Sequence, residues 1–174
     1  MTYVVERLTE LRRHLDHLRA LRPRVSGPEA LARDFSLHND VLFSLLMVCQ
    51  LVIDIAGDLS ARRGDRFEDY TEAVRNLARD QRFPPELVRS LERLPGFRNV
   101  LVHEYVAVDL GRVVEALDDL EPIERFATIV AALEGEPEQV GGHGAGGRAH
   151  GMSLSIRVTK IPSAPICLRS AMIR

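Results

Sequence analysis

A chain of 174 residues has room for one domain with a real core and not for two. Its formal charge of −2 divides unevenly: residues 1–135 carry 18 Arg against 23 Asp and Glu, hence −5, and residues 136–174 carry 5 Lys and Arg against 2 Glu, hence +3. A body of that sign is no general polyanion binder, so any nucleic-acid contact must rest on a local patch, and no DNA-binding role is expected.

Two cysteines, Cys49 and Cys167, make no disulfide framework, and Cys49 lies in an apolar run where a reduced, buried thiol is expected. Leucine, alanine, arginine and glutamate dominate up to about residue 135, which favours helix over sheet. Glu6, Glu10 and several arginines interrupt the N-terminus, so no signal peptide is expected there. The most apolar window, Val41 to Gly57, is interrupted by Gln50 and Asp54 and falls short of a span of about 20 residues. The expectation is a soluble, cytoplasmic protein.

In chain order, Val4, Leu8, Leu11, Leu15 and Leu18 mark one stripe of a first helix that Pro23 stops. Ser26-Gly27-Pro28-Glu29 has the form of a capping box, opening a long second helix to Ala61 with Leu31, Phe35, Leu42, Leu45, Cys49, Val52, Ala56 and Leu59 inward. Its apolar cover is widest between Val41 and Ile55, which makes it the central helix. Arg62, Arg63 and Arg66 gather in a polar loop, read as solvated. A third, shorter helix follows with Tyr70, Ala73, Val74 and Leu77 inward. Leu87, Leu91 and Leu94 lead on from Pro84-Pro85, with a kink expected at Pro95-Gly96. Asp109 caps a last helix with Leu110, Val113, Leu117, Leu120, Phe126 and Val130 inward, bent at Pro122 and ended by Gly135 and Pro137. The fold class is therefore all-α, a bundle of four to five helices over residues 1–135. Residues 136–174 read as a glycine-rich linker and a disordered tail. Leu154 to Val158 alternate like a strand with no partner, and His143 and His150 suit a linker better than a metal site.

The stretch Gly96-Phe97-Arg98-Asn99-Val100-Leu101-Val102-His103-Glu104-Tyr105 threads four polar residue types, suited to acid–base chemistry beside a phosphate, through apolar ones. On a helix, Phe97 and Leu101 share the packing face with Leu94, and Val100 is read as core with them. Asn99 and His103, four apart, can touch. Arg98 and His103 are five apart, roughly 140° around the axis, and do not point together. Either the helix ends near His103, or the long arginine reaches across, or a twofold partner completes the site. Asp54, inside the most apolar helix, either lines a cleft or pairs with an arginine. Glu104 is a further candidate cleft residue. His14, His17 and His38 sit on polar faces and need no role.

Arg-x4-His-x-Tyr with asparagine after the arginine resembles the signature of the HepT-like branch of the HEPN superfamily, and the resemblance covers about residues 3 to 134. A chance match to the pattern would arise roughly 0.01 times in this composition. The resemblance implies an up-and-down bundle that dimerises with the two motif copies facing a shared cleft. It implies a metal-independent ribonuclease without cofactor, the toxin of a toxin–antitoxin pair. Its antitoxin would be an MntA-like nucleotidyltransferase that attaches AMP to the motif tyrosine, here Tyr105. His103 would be the general acid or base, Arg98 the phosphate clamp, and Asn99 the residue that orients either. The competing reading is a non-catalytic HEPN module that binds a nucleotidyltransferase as a dimeric scaffold. A plain helical dimerisation protein leaves the polar cluster unexplained.

Overall fold

The structure is a computed structural model that describes residues 3–103 and 108–135. Glu104, Tyr105 and the tail from residue 136, including the 154–158 segment, lie outside the described residues.

Among the described residues there are eight α-helical segments, two 3-10 turns and no strand. Helix α1 is Tyr3–Leu21, α2 Pro28–Arg33, α3 Phe35–Arg62, α4 Tyr70–Arg75, α5 Pro85–Leu91, α6 Leu94–His103, α7 Leu110–Asp118 and α8 Glu121–Gly135. The all-helical class stands, and the count of four to five is corrected. The long second helix divides at Asp34, whose extended backbone and side chain, accepting from the Leu37 N–H at 2.9 Å, start α3 afresh. Ser26 is not the cap of α2; Gly27 holds that position without a side-chain bond. The two expected kinks are helix starts. Pro95 and Pro122 lie in the first turns of α6 and α8, where the missing N–H costs no intrahelical bond.

Helix α3 is the axis. It packs against α1 along most of its length and against α2, α4 and α6, while α8 closes on α1 and α5. Six aliphatic residues of α1 (Val4, Leu8, Leu11, Leu15, Leu18, Leu21) are buried, each contributing about 1.5–3 kcal/mol. Val48, Val52, Ile55 and Ala56 of α3 are fully buried opposite them. Helix α3 is 28 residues long and, by length and composition alone, apolar enough to cross a membrane, more than its interrupted window suggested; here its apolarity serves the core. Phe83 and Phe126, 5.9 Å apart between ring centroids, fill the space between α5 and α8.

Two inward assignments are overturned. Phe35, at the start of α3, is 78% exposed and Tyr70, at the start of α4, is 51% exposed, although Leu37 and Ala73 in the same first turns are buried. The arginine loop is not simply solvated. Arg62 pairs with Asp58 and Glu134, both at 2.6 Å, and Arg63 reaches Asp65 at 3.1 Å and the Asn76 carbonyl at 3.0 Å. Helix α3 closes in a Schellman turn, Asp65 N–H to Ser60 C=O and Gly64 N–H to Ala61 C=O, that sets Gly64 at φ +75°, where a side chain is strained.

Candidate functional site

Helix α6 carries the motif, and α3 holds it. Leu101 is buried while Leu94 and Phe97 are packed half-buried against the core, so the apolar face of α6 lies toward α3 as the periodicity predicts. Val100 is only half-buried and borders a surface groove, a correction to its place in the core. Helix α6 is described as far as His103, which is exposed.

Arg98 leaves the flank of this packing face and is half-buried. Its Nε donates to Oε1 of Gln50 at 3.1 Å, and Nη1 donates to Oδ1 of Asn99 at 3.2 Å. Gln50 is fixed in turn: its Nε2 donates to Oδ1 of Asp54 at 2.8 Å, one helical turn along α3. The second oxygen of Asp54 lies 3.5 Å from Nε of Arg7. That Nε is buried and has no hydrogen bond, so the contact is an ion pair, and the Arg7 guanidinium lies over the Tyr3 ring at 3.4 Å. A ladder thus runs from Tyr3 through Arg7, Asp54 and Gln50 to Arg98. It presents a guanidinium at the surface in a fixed orientation, and a charge-assisted hydrogen bond of this kind is worth about 1.5–3 kcal/mol. Asp54 therefore both pairs with an arginine and supports the motif.

Asn99 binds Arg98, and among the described residues no hydrogen bond joins it to His103. The structure brings Arg98, Asn99, Gln50 and Asp54 together, and among the described residues no hydrogen bond joins His103 to them. Gln50 is the residue sequence reasoning missed. Its signal was a polar side chain four residues before Asp54 in an otherwise apolar helix, which registered only as an interruption. Cys49, its neighbour, is buried, and burial pushes its thiol up to about 12. His14 is half-buried rather than on a polar face, with Nδ1 3.4 Å from the Ser44 hydroxyl and its ring edge-on to Phe43; burial lowers its pKa. Among the described residues no three His, Cys, Asp or Glu side chains converge as a metal site would require.

The fold is thus an all-helical bundle that holds an Arg-Asn-x3-His segment against its central helix. The structure is similar to the tri-AMPylated HEPN toxin of Shewanella oneidensis in complex with MNT antitoxin, with a TM-score of 0.66 and 22% identity over 76% of this chain and 99% of that one. It is equally similar (TM-score 0.66, 21% identity, 74% and 97% covered) to a toxin–antitoxin solved with AMP-PNP. The model of the ribonuclease HepT-like family matches residues 11–130, and the chain belongs to that family. Among curated proteins it is 28% identical over 102 residues to the mRNA nuclease HepT of Shewanella oneidensis, covering 58% of this chain and 77% of that protein. It is 26% identical over 117 residues to a putative RNase of Archaeoglobus fulgidus, covering 67% and 89%.

Proposed function

We propose that this protein is the ribonuclease toxin of a toxin–antitoxin pair, cutting RNA without a metal ion through Arg98 and His103. The observation that carries the reading is the Gln50–Asp54 ladder, which spends two polar side chains of the central helix to hold one motif arginine at the surface. In the reaction His103 takes the proton of a ribose 2′-OH as the oxygen attacks the adjacent phosphorus. The P–O5′ bond breaks, the leaving 5′-oxygen is protonated, and a 2′,3′-cyclic phosphate remains. Arg98 neutralises the charge gathered on the non-bridging oxygens, and Asn99 orients the guanidinium. DNA has no 2′-OH and is not cut.

The site is shared between two copies of the chain. Arg98 and His103 lie roughly 140° apart around α6, and the Arg98 side chain is already committed to α3. Phe43, 58% exposed, is seven residues before Gln50 and so on the same stripe of α3; it gives a second copy an apolar foothold beside the ladder. The neutralising partner is a nucleotidyltransferase of the MntA kind, which transfers AMP from ATP to the hydroxyl of Tyr105, two residues past His103 in sequence, and releases pyrophosphate. Negative charge placed beside the cleft then repels the RNA phosphate. The family membership and the toxin–antitoxin complexes of its structural neighbours support this reading.

The test is incubation of purified protein with RNA in EDTA. Wild type is expected to cut, with Arg98→Ala and His103→Ala each reduced by at least about 100-fold. Cutting that survives both substitutions overturns the assignment.

A further inference from the structure

Two openings meet on the side of α6 away from Arg98. One is a groove of about 520 Å³ between α6 and the start of α7, floored by Gly96, Phe97 and Val100. The other is a recess of about 440 Å³ that runs inward over Cys49, Leu94 and Ala116. They share three residues, Arg93, Phe97 and Arg112. Both arginines are exposed. The Arg93 side chain makes no ion pair or hydrogen bond among the described residues, and Arg112 makes an exposed ion pair with Asp109, Nε to Oδ2 at 3.8 Å, while the other oxygen of that carboxylate accepts from the Gly111 and Arg112 N–H groups. Glu92, the other acid of the groove, is held by Arg75 at 3.3 and 3.4 Å. One unpaired guanidinium and one held only by a long, exposed ion pair lie over the aromatic floor, and an exposed pair of that kind gives way to a ligand at little cost.

On α6, Gly96, Val100 and His103 follow one another at steps of four and three and lie on one side of the helix, so the groove runs toward His103. We infer that the groove and recess form a binding subsite for single-stranded RNA, taking a nucleotide that flanks the cut phosphate. Its phosphate lies between Arg93 and Arg112 and its base in the recess against Phe97. The acids of the recess sort the two ends: Glu115 and Asp119 repel a phosphate but accept from the exocyclic amino group of a base. Recess size suits one nucleoside, and stacking with charge neutralisation is how single strands are held without sequence preference. The proposal deepens the ribonuclease reading and rests on it for the choice of RNA.

The test separates the two. A fluorescent 12-nucleotide RNA is bound by the full chain carrying His103→Ala, by anisotropy over a range of salt, with and without Arg93→Gln/Arg112→Gln. The pair of substitutions is expected to weaken binding about 10-fold and to lower the salt slope by roughly 0.7, the value for one phosphate of a single strand. Ala116→Phe, which fills the recess, is expected to weaken binding with the slope unchanged. Equal binding by all three forms overturns the subsite, as does normal RNA binding with loss of the nucleotidyltransferase partner, which would make the groove a protein contact. If wild type fails to cut RNA while the substitutions still weaken binding, the subsite stands and the nuclease reading falls. If the parent form does not bind, both fall.

Discussion

Arg98 owes its position to one side chain on another helix. With Gln50 bonded to both Arg98 and Asp54, its amide oxygen can face only the arginine, because its NH2 is used on the carboxylate. Gln50→Leu keeps the bulk and removes both bonds, freeing the guanidinium to sample rotamers that miss the phosphate. We expect kcat on RNA to fall roughly 10- to 100-fold with KM little changed, the effect of misplacing a catalytic group by about an ångström. Gln50→Glu combined with Asp54→Asn reverses donor and acceptor in the bond between the two positions but keeps an acceptor for Arg98, and should recover most of the rate, which a merely structural role for Gln50 would not require. A Gln50→Leu enzyme at wild-type kcat would show that Arg98 is placed by other means. The motif residues were legible in the sequence because they are neighbours at fixed spacing. Gln50 and Arg7 were not, since what joins them to Arg98 is the packing of α6 and α1 on α3, a contact between segments 48 and 91 residues from the arginine that no local pattern encodes.

At the scale of the elements, the sequence showed the stripes of α1 and α3 because five or more leucines and valines recur at helical steps. It hid the breaks. Pro95 and Pro122 read as bends in continuous helices, yet a proline in a first turn gives the same local pattern, and the junctions before them (Glu92-Arg93 and Asp119-Leu120) carry no glycine to mark a stop. Asp34 gave a similar false continuity: an aspartate within an amphipathic run looks like a surface residue until its side chain is seen to cap the helix behind it. Asp34→Ala removes the bond from the Leu37 N–H at 2.9 Å and an exposed ion pair with Arg24 at 3.1 Å. The expected cost is about 1 kcal/mol, nearly all from the cap, or a fall of roughly 4 °C in Tm. Asp34→Asn keeps the cap and should lie within about 0.5 kcal/mol of wild type. Equal losses from the two would place the effect in the ion pair, contrary to the local geometry.

Whether one molecule or two make the site follows from how α6 is held. Its buried face turns to α3, Arg98 leaves one flank and joins the α3 ladder, and His103 stands at the exposed far end. In the shared site proposed above, an RNA phosphate bound to Arg98 of one copy would be served by the imidazole of the other, with the exposed Phe43 in the face between them. This arrangement makes a prediction that a self-contained site does not. Arg98→Ala and His103→Ala proteins are each inactive alone, since every shared site lacks one member. When they are denatured together and refolded, half of the dimers are mixed, and each mixed dimer holds one site with both residues intact and one with neither. Activity should return to about a quarter of wild type. Adding Phe43→Glu to both partners puts a carboxylate into the apolar face; mass measured by light scattering should then fall to the monomer and the recovered activity should vanish. If the mixture stays inactive while remaining dimeric, each protomer carries its own Arg98–His103 pair, and α6 must turn its last residues back toward the arginine.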